Sequence, residues 1–119
     1  MPKILCEYFL TDSDRAPVRE FVDSLDAKTQ KKFFFVVELL TEFGHKLPPP
    51  HAKYLGNSIF ELRFSGREGA LRIFYFFFHQ ELAIFTNAFI KKSQKTPPNE
   101  LNLAIQRRRA YLDRQGRKK

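Results

Sequence analysis

Hydrophobic positions along this chain switch spacing several times, and each switch predicts an element. Lys3-Ile4-Leu5-Cys6-Glu7-Tyr8-Phe9-Leu10 is a short β-friendly run that predicts a first strand over residues 3 to 10. Thr11-Asp12-Ser13-Asp14 follows, with oxygens suited to capping a helix. Val18, Phe21, Val22 and Leu25 recur at i, i+3, i+4, i+7 behind Pro17, which predicts an amphipathic helix over about residues 15 to 25. Asp26 can cap a second helix, whose stripe is Phe33, Val36, Val37, Leu40 and Phe43 and whose stop is Gly44. The two form a helical hairpin.

Leu47-Pro48-Pro49-Pro50-His51 cannot continue the helix, because consecutive prolines lack amide donors and favour extended backbone. Three aromatic-rich strands follow, broken by turns at Gly66-Arg67-Glu68-Gly69 and His79-Gln80-Glu81-Leu82. Thr96-Pro97 opens a last helix carrying Leu101, Ala104, Ile105 and Leu112. The order β-α-α-β-β-β-α predicts an α+β fold, a helical hairpin packed on a small antiparallel-rich sheet. No internal repeat is visible, and residues 1–119 read as one domain with a short basic tail at 114–119.

Strand register predicts a site. A turn centred between Arg67 and Glu68 puts Arg63 opposite Arg72 on one face. A second turn centred between Gln80 and Glu81 puts Arg72 opposite Phe89 and Lys91 opposite Ala70. Arg63, Arg72 and Lys91 then form one basic cluster, sharing a face with Phe74, Phe76, Phe85 and Phe89. The other face gathers Phe60, Leu62, Phe64, Leu71, Ile73, Tyr75 and Phe77 and is core. A cation in such a strand is costly unless an anion meets it. Either Glu61 and other carboxylates neutralise the arginines, or a phosphate-bearing ligand does. The aromatic rings on the basic face either stack on an unpaired base or lie beneath the C-terminal helix.

Charge favours the ligand. The formal charge is +8, and residues 1–60 hold eight Lys/Arg against eight Asp/Glu, whereas 61–119 hold thirteen against five. A one-sided basic field on a small domain points to a polyanion, most often nucleic acid. Other chemistries lose ground. The lone cysteine, Cys6, lies in a strand and reads as an inert buried thiol. His45, His51 and His79 stand singly, which predicts no metal site, and the dispersed glycines form no phosphate loop, which predicts no nucleotide cofactor. No long apolar segment is present, so no membrane partner and a cytoplasmic location are expected.

Lys53-Tyr54-Leu55-Gly56-Asn57-Ser58-Ile59-Phe60-Glu61-Leu62-Arg63, then Leu71-Arg72-Ile73-Phe74-Tyr75, then Phe89-Ile90-Lys91-Lys92-Ser93-Gln94-Lys95-Thr96-Pro97 resembles the phage-derived, HigB-like branch of the RelE toxin superfamily. The order and spacing match over most of the chain. The resemblance implies a RelE-like fold, a type II toxin-antitoxin system, mRNA cleavage in the ribosomal A site and neutralisation by a helix-turn-helix antitoxin. Some such toxins move protons with a histidine or a C-terminal tyrosine, whereas the stretch before Phe89 here is Thr86-Asn87-Ala88. Tyr111 reads as helix packing.

Metal-independent RNA cleavage needs the 2′-hydroxyl deprotonated, the 5′-oxygen protonated and the added charge on phosphorus stabilised. Arg63 and Arg72 suit the last task, since guanidinium forks hold phosphate oxygens bidentately and do not lose protons. Lys91 or Lys53 can move a proton, while Lys92 and Lys95 suit phosphate binding and Phe89 suits stacking on a base. Arg107, Arg108 and Arg109 can grip ribosomal RNA, or can simply suit the end of a helix. Two rival readings stay open: a module that binds RNA or DNA without cutting it, and an inactive relative that only binds an antitoxin.

Overall fold

The structure, a computed structural model, describes residues 3–117. In chain order the elements are β1 (Leu5–Tyr8), α1 (Pro17–Asp23), α2 (Ala27–Phe43), a 3-10 turn (Gly44–Lys46), β2 (Ala52–Gly56), β3 (Ile59–Gly66), β4 (Gly69–Phe78), β5 (Leu82–Lys91) and α3 (Pro98–Arg117). The fold is α+β, built on a five-stranded sheet ordered β1-β5-β4-β3-β2. Only the β1–β5 pair is parallel; the other neighbours run antiparallel. The sequence reading has one strand fewer. β2 begins two residues after the proline run, where hydrophobic alternation has no length to show, and its ladder to β3 is itself interrupted between Tyr54 and Gly56.

Helices cover both faces of the sheet. α1 and α2 pack on Leu62, Phe64, Leu71, Ile73, Tyr75 and Phe85 through Val18, Val22, Phe33, Val36 and Leu40. α3 packs on the opposite face, over Ile59, Phe74, Phe76 and Ile84, through Ala104 and the flanking Leu101, Ile105 and Tyr111. This is why Ile73 to Phe76 read as an unbroken apolar run: all four are buried, alternately under the hairpin and under α3. Each such side chain contributes about 2–3 kcal/mol of apolar burial.

The β3–β4 register matches expectation, with Gly66 opposite Gly69 and Arg63 opposite Arg72. The β4–β5 register reaches the expected pairs by another route. Phe78 pairs with Leu82, so the turn has three residues, and a bulge at Thr86 shifts the ladder by one, restoring Arg72 opposite Phe89 and Ala70 opposite Lys91. The bulge turns Phe85 over. That ring pairs with Tyr75 and lies in the hairpin core, so it is not on the basic face.

Helix capping also differs from the sequence expectation. Asp26 makes no side-chain cap, and α1 starts from Ala16 without one. The α2 N-terminus is satisfied instead from the β3–β4 turn, where the Glu68 carboxylate accepts from the Asp26 N–H at 2.7 Å and the Thr29 hydroxyl at 2.8 Å. A carboxylate there also complements the helix dipole. α3 runs to Arg117, so residues 114–117 of the expected tail are helical, and Arg114 donates to the Leu10 carbonyl (2.6 Å) and to Asp12 (2.9 Å). Lys118 and Lys119 lie outside the described residues.

Candidate functional site

Alternation along paired strands fixes which side chains share the α3 face. One cross-strand row contains Lys53, Glu61, Phe74 and Asn87; the next contains Arg63, Arg72 and Phe89; Lys91 stands in a third, opposite Ala70. α3 covers only part of this face. Its first turn is tied down at the Phe74–Asn87 row, because the Asn87 side-chain amide donates to the Glu100 carbonyl at 3.1 Å and to the Glu100 carboxylate at 2.9 Å. From there the helix runs away over Phe76 and Phe78. The arginine row therefore sits at the uncovered margin of the sheet.

The two arginines share one carboxylate. Arg63 Nε donates to Glu61 Oε1 at 2.7 Å, and Arg72 Nε lies 3.8 Å from the same oxygen, too long for a hydrogen bond. Glu61 is fully buried, while the side chains of Arg63 and Arg72 are 28% and 15% exposed. Among the described residues neither Glu61 Oε2 nor Arg72 Nε has a hydrogen-bond partner. Arg72 NH1 donates to the Leu71 carbonyl at 2.9 Å. Burial pulls the Arg72 guanidinium below its ordinary value, with Glu61 opposing and Arg63 reinforcing the shift. It still stays charged at neutral pH, as arginine does throughout proteins. Neutralisation by Glu61 is thus partial: one carboxylate serves two guanidinium groups.

Lys91 and Lys92 join Arg72 around an open hollow of about 400 Å³, whose wall is completed by Ala70, Ser93 and Gln94. Lys92 and Lys95 are exposed on the segment between β5 and α3, where the Ser93 hydroxyl donates to the Lys95 carbonyl at 3.2 Å. Phe89, partly buried, stands beside Arg72 and meets Phe74 edge to face at 5.1 Å. Phe74 and Phe76 are wholly buried under α3. Lys53 is exposed on β2, on the far side of Glu61 from the hollow. It forms no ion pair among the described residues.

Arg107 and Arg108 stand apart from this cluster, about two helical turns beyond Glu100. Arg107 donates to the Thr86 carbonyl at 2.7 Å and lies over Phe9, while Arg108 lies over Phe76. Tyr111 packs edge to face on Phe76 and Phe78, and burial raises its hydroxyl pKa. The histidines are dispersed. His45 stacks on Phe77, the His51 ring meets Phe35, and His79 packs on Phe78. The described residues contain no group of three or more His, Cys, Asp or Glu able to hold a metal ion, and no helix long and apolar enough to cross a membrane.

One further role, that of Asn87, went unread in the sequence, whereas the pairing of Glu61 with the arginines was among the expectations. Asn87 is the tie that stops α3 short of the arginine row, and the only sequence signal was an asparagine in the middle of a strand, where that residue is depleted. Glu61 gave a better signal, a carboxylate at i−2 to Arg63 and hence on the same face.

No curated protein matches the chain. Residues 20–109 match the family described as phage derived protein Gp49-like (DUF891). The matched span runs from α1 into α3 and contains every residue of the arginine cluster. With well over half of its length in that match, the chain belongs to the phage-derived Gp49-like family, a toxin-like family of the RelE type.

Proposed function

We propose that this chain is the toxin of a type II toxin-antitoxin pair, a HigB-like endoribonuclease that cuts mRNA on translating ribosomes. The observation carrying this reading is the Arg63–Arg72 pair, two guanidinium groups held side by side on one buried carboxylate at the open margin of the sheet. Their residual positive charge suits a phosphate whose charge grows in the transition state. The 2′-hydroxyl attacks the adjacent phosphorus, the bond to the 5′-oxygen breaks, and the products are a 2′,3′-cyclic phosphate and a 5′-hydroxyl. In-line displacement wants the base and the acid on opposite sides of phosphorus. Lys53 on β2 and Lys91 on β5 flank the arginines in that way, their strands separated by two others. One takes the 2′ proton and the other delivers a proton to the leaving oxygen.

Lys92 and Lys95 hold neighbouring phosphates and Phe89 stacks on a base beside the cut. Arg107 and Arg108 face ribosomal RNA with whatever donors their helix contacts leave free. The family relationship and the sequence resemblance support a helix-turn-helix antitoxin as the partner and the ribosome as the platform. Primer extension on a reporter mRNA, with and without translating ribosomes, tests the reading. Breaks that appear only during translation support it. Breaks in naked RNA keep the nuclease and remove the ribosome, and intact RNA with folded protein overturns both in favour of a binding module.

A further inference from the structure

The outward face of α2 has three properties that the RNA site does not use. Phe34, Phe35 and Phe43 are 54%, 56% and 50% exposed, an unusual concentration of bare aromatic surface on one helix. The charges on the same helix are sorted by position: Lys28, Lys31 and Lys32 lie at its start and Glu38 and Glu42 at its end, all exposed. Like charges consequently fall at i, i+4 in Lys28/Lys32 and in Glu38/Glu42, which destabilises an isolated helix. That order also opposes the helix dipole, with no acidic residue in the first turn and no basic residue in the last. Lys3 reaches Glu42 at 3.6 Å, but both side chains are well exposed and the pair offsets little.

We propose that α2 pairs antiparallel with α2 of a second copy of this chain. A two-fold axis between Phe34 and Phe35 brings the four central rings together and sets Lys31 of each copy against Glu38 of the other. Lys28 and Lys32 come near the acidic end of the opposite helix, and each positive N-terminus meets a negative C-terminus. Such self-complementarity is what an isologous interface demands. A helix of 17 residues is about 25 Å long, so the contact is narrow and the dimer is weak and concentration-dependent. Because α2 lies on the sheet face opposite Arg63 and Arg72, both RNA sites stay open.

Sedimentation equilibrium over a rising concentration series tests this, with circular dichroism confirming that each surface variant is folded. The apparent mass of the wild-type chain should climb from 14.1 kDa toward twice that value. Phe35→Ser and Glu38→Lys should each hold it at the monomer, and Lys31→Glu combined with Glu38→Lys should restore the dimer, since the swapped charges again face one another. A wild-type chain that stays monomeric at every concentration overturns the proposal. So does association that ignores both the charge reversal and Phe35→Ser, which would mark non-specific contact or another surface.

Discussion

Glu61 organises the site at the level of single residues. A wholly buried carboxylate is tolerable only with partners, and here the partners are the two arginines proposed to hold the phosphate. Glu61→Ala removes the shared anion and leaves two half-buried cations facing each other. Urea unfolding should show a loss of about 2–4 kcal/mol, reduced from the cost of a fully enclosed pair by the exposure of both arginines. Glu61→Gln keeps the shape and an acceptor oxygen, so it should lose less. Equal stability of the alanine variant and the wild type would show that the carboxylate does not hold the arginines. Gly66 is a second sensitive position. A Cβ there would sit 2.1 Å from Thr29 Oγ1 and 2.5 Å from Thr29 Cγ2. Gly66→Ala should therefore cost more than about 2 kcal/mol in the same assay, by displacing the hydroxyl that donates to Glu68.

At the scale of elements, the β3–β4 turn and α2 are one unit joined through Glu68. Hydrogen bonds from the Asp26 N–H and then the Thr29 hydroxyl hold the Glu68 carboxyl below its usual range. A carboxyl pKa lowered by folding adds stability that is complete above the unfolded value of about 4.3 and is lost as the pH falls through the lower folded value. Urea midpoints measured down an acid series should fall in that window for the wild type and fall less for Glu68→Gln. Identical acid limbs would remove Glu68 from the account. No local pattern announces this cap, because donor and acceptor are 42 residues apart, whereas Asp26 carried the standard local signal and was left unused.

The elements were legible where one side-chain period ran long enough. The helical hairpin, the β3–β4 register and the Arg63–Arg72 pair follow from spacing alone. The β4–β5 register came from an assumed two-residue turn, and the real three-residue turn plus the Thr86 bulge gave the same pairs beyond the bulge. Before the bulge the faces are exchanged, which is why Phe85 was misplaced. β2 was hidden by its shortness, and the reach of α3 by the Asn87–Glu100 tie, a contact between side chain and helix start that spacing does not encode.

For the whole molecule, part of the basic second half of the sequence becomes an open margin, with Arg63, Arg72, Lys91, Lys92 and Lys95 near one end of the sheet, while α3, carrying Arg107, Arg108 and Arg114, covers the remainder. If Lys92 and Lys95 each neutralise a phosphate of a single strand, replacing both with alanine should lower the slope of log affinity against log salt by about 0.7 per lysine. Fluorescence titration of a short RNA at several salt concentrations reads this directly, and an unchanged slope would take both lysines out of the interface. The proposed function rests on the arginine pair stabilising the charge that develops on the phosphate during cleavage. Its most direct test is the rate of reporter mRNA cleavage on translating ribosomes by the wild-type chain and by Arg72→Ala, each shown to be folded. A loss of about 10²–10³-fold is expected, the usual effect of removing one preorganised stabiliser of developing charge; cleavage by the variant at the wild-type rate would contradict the account.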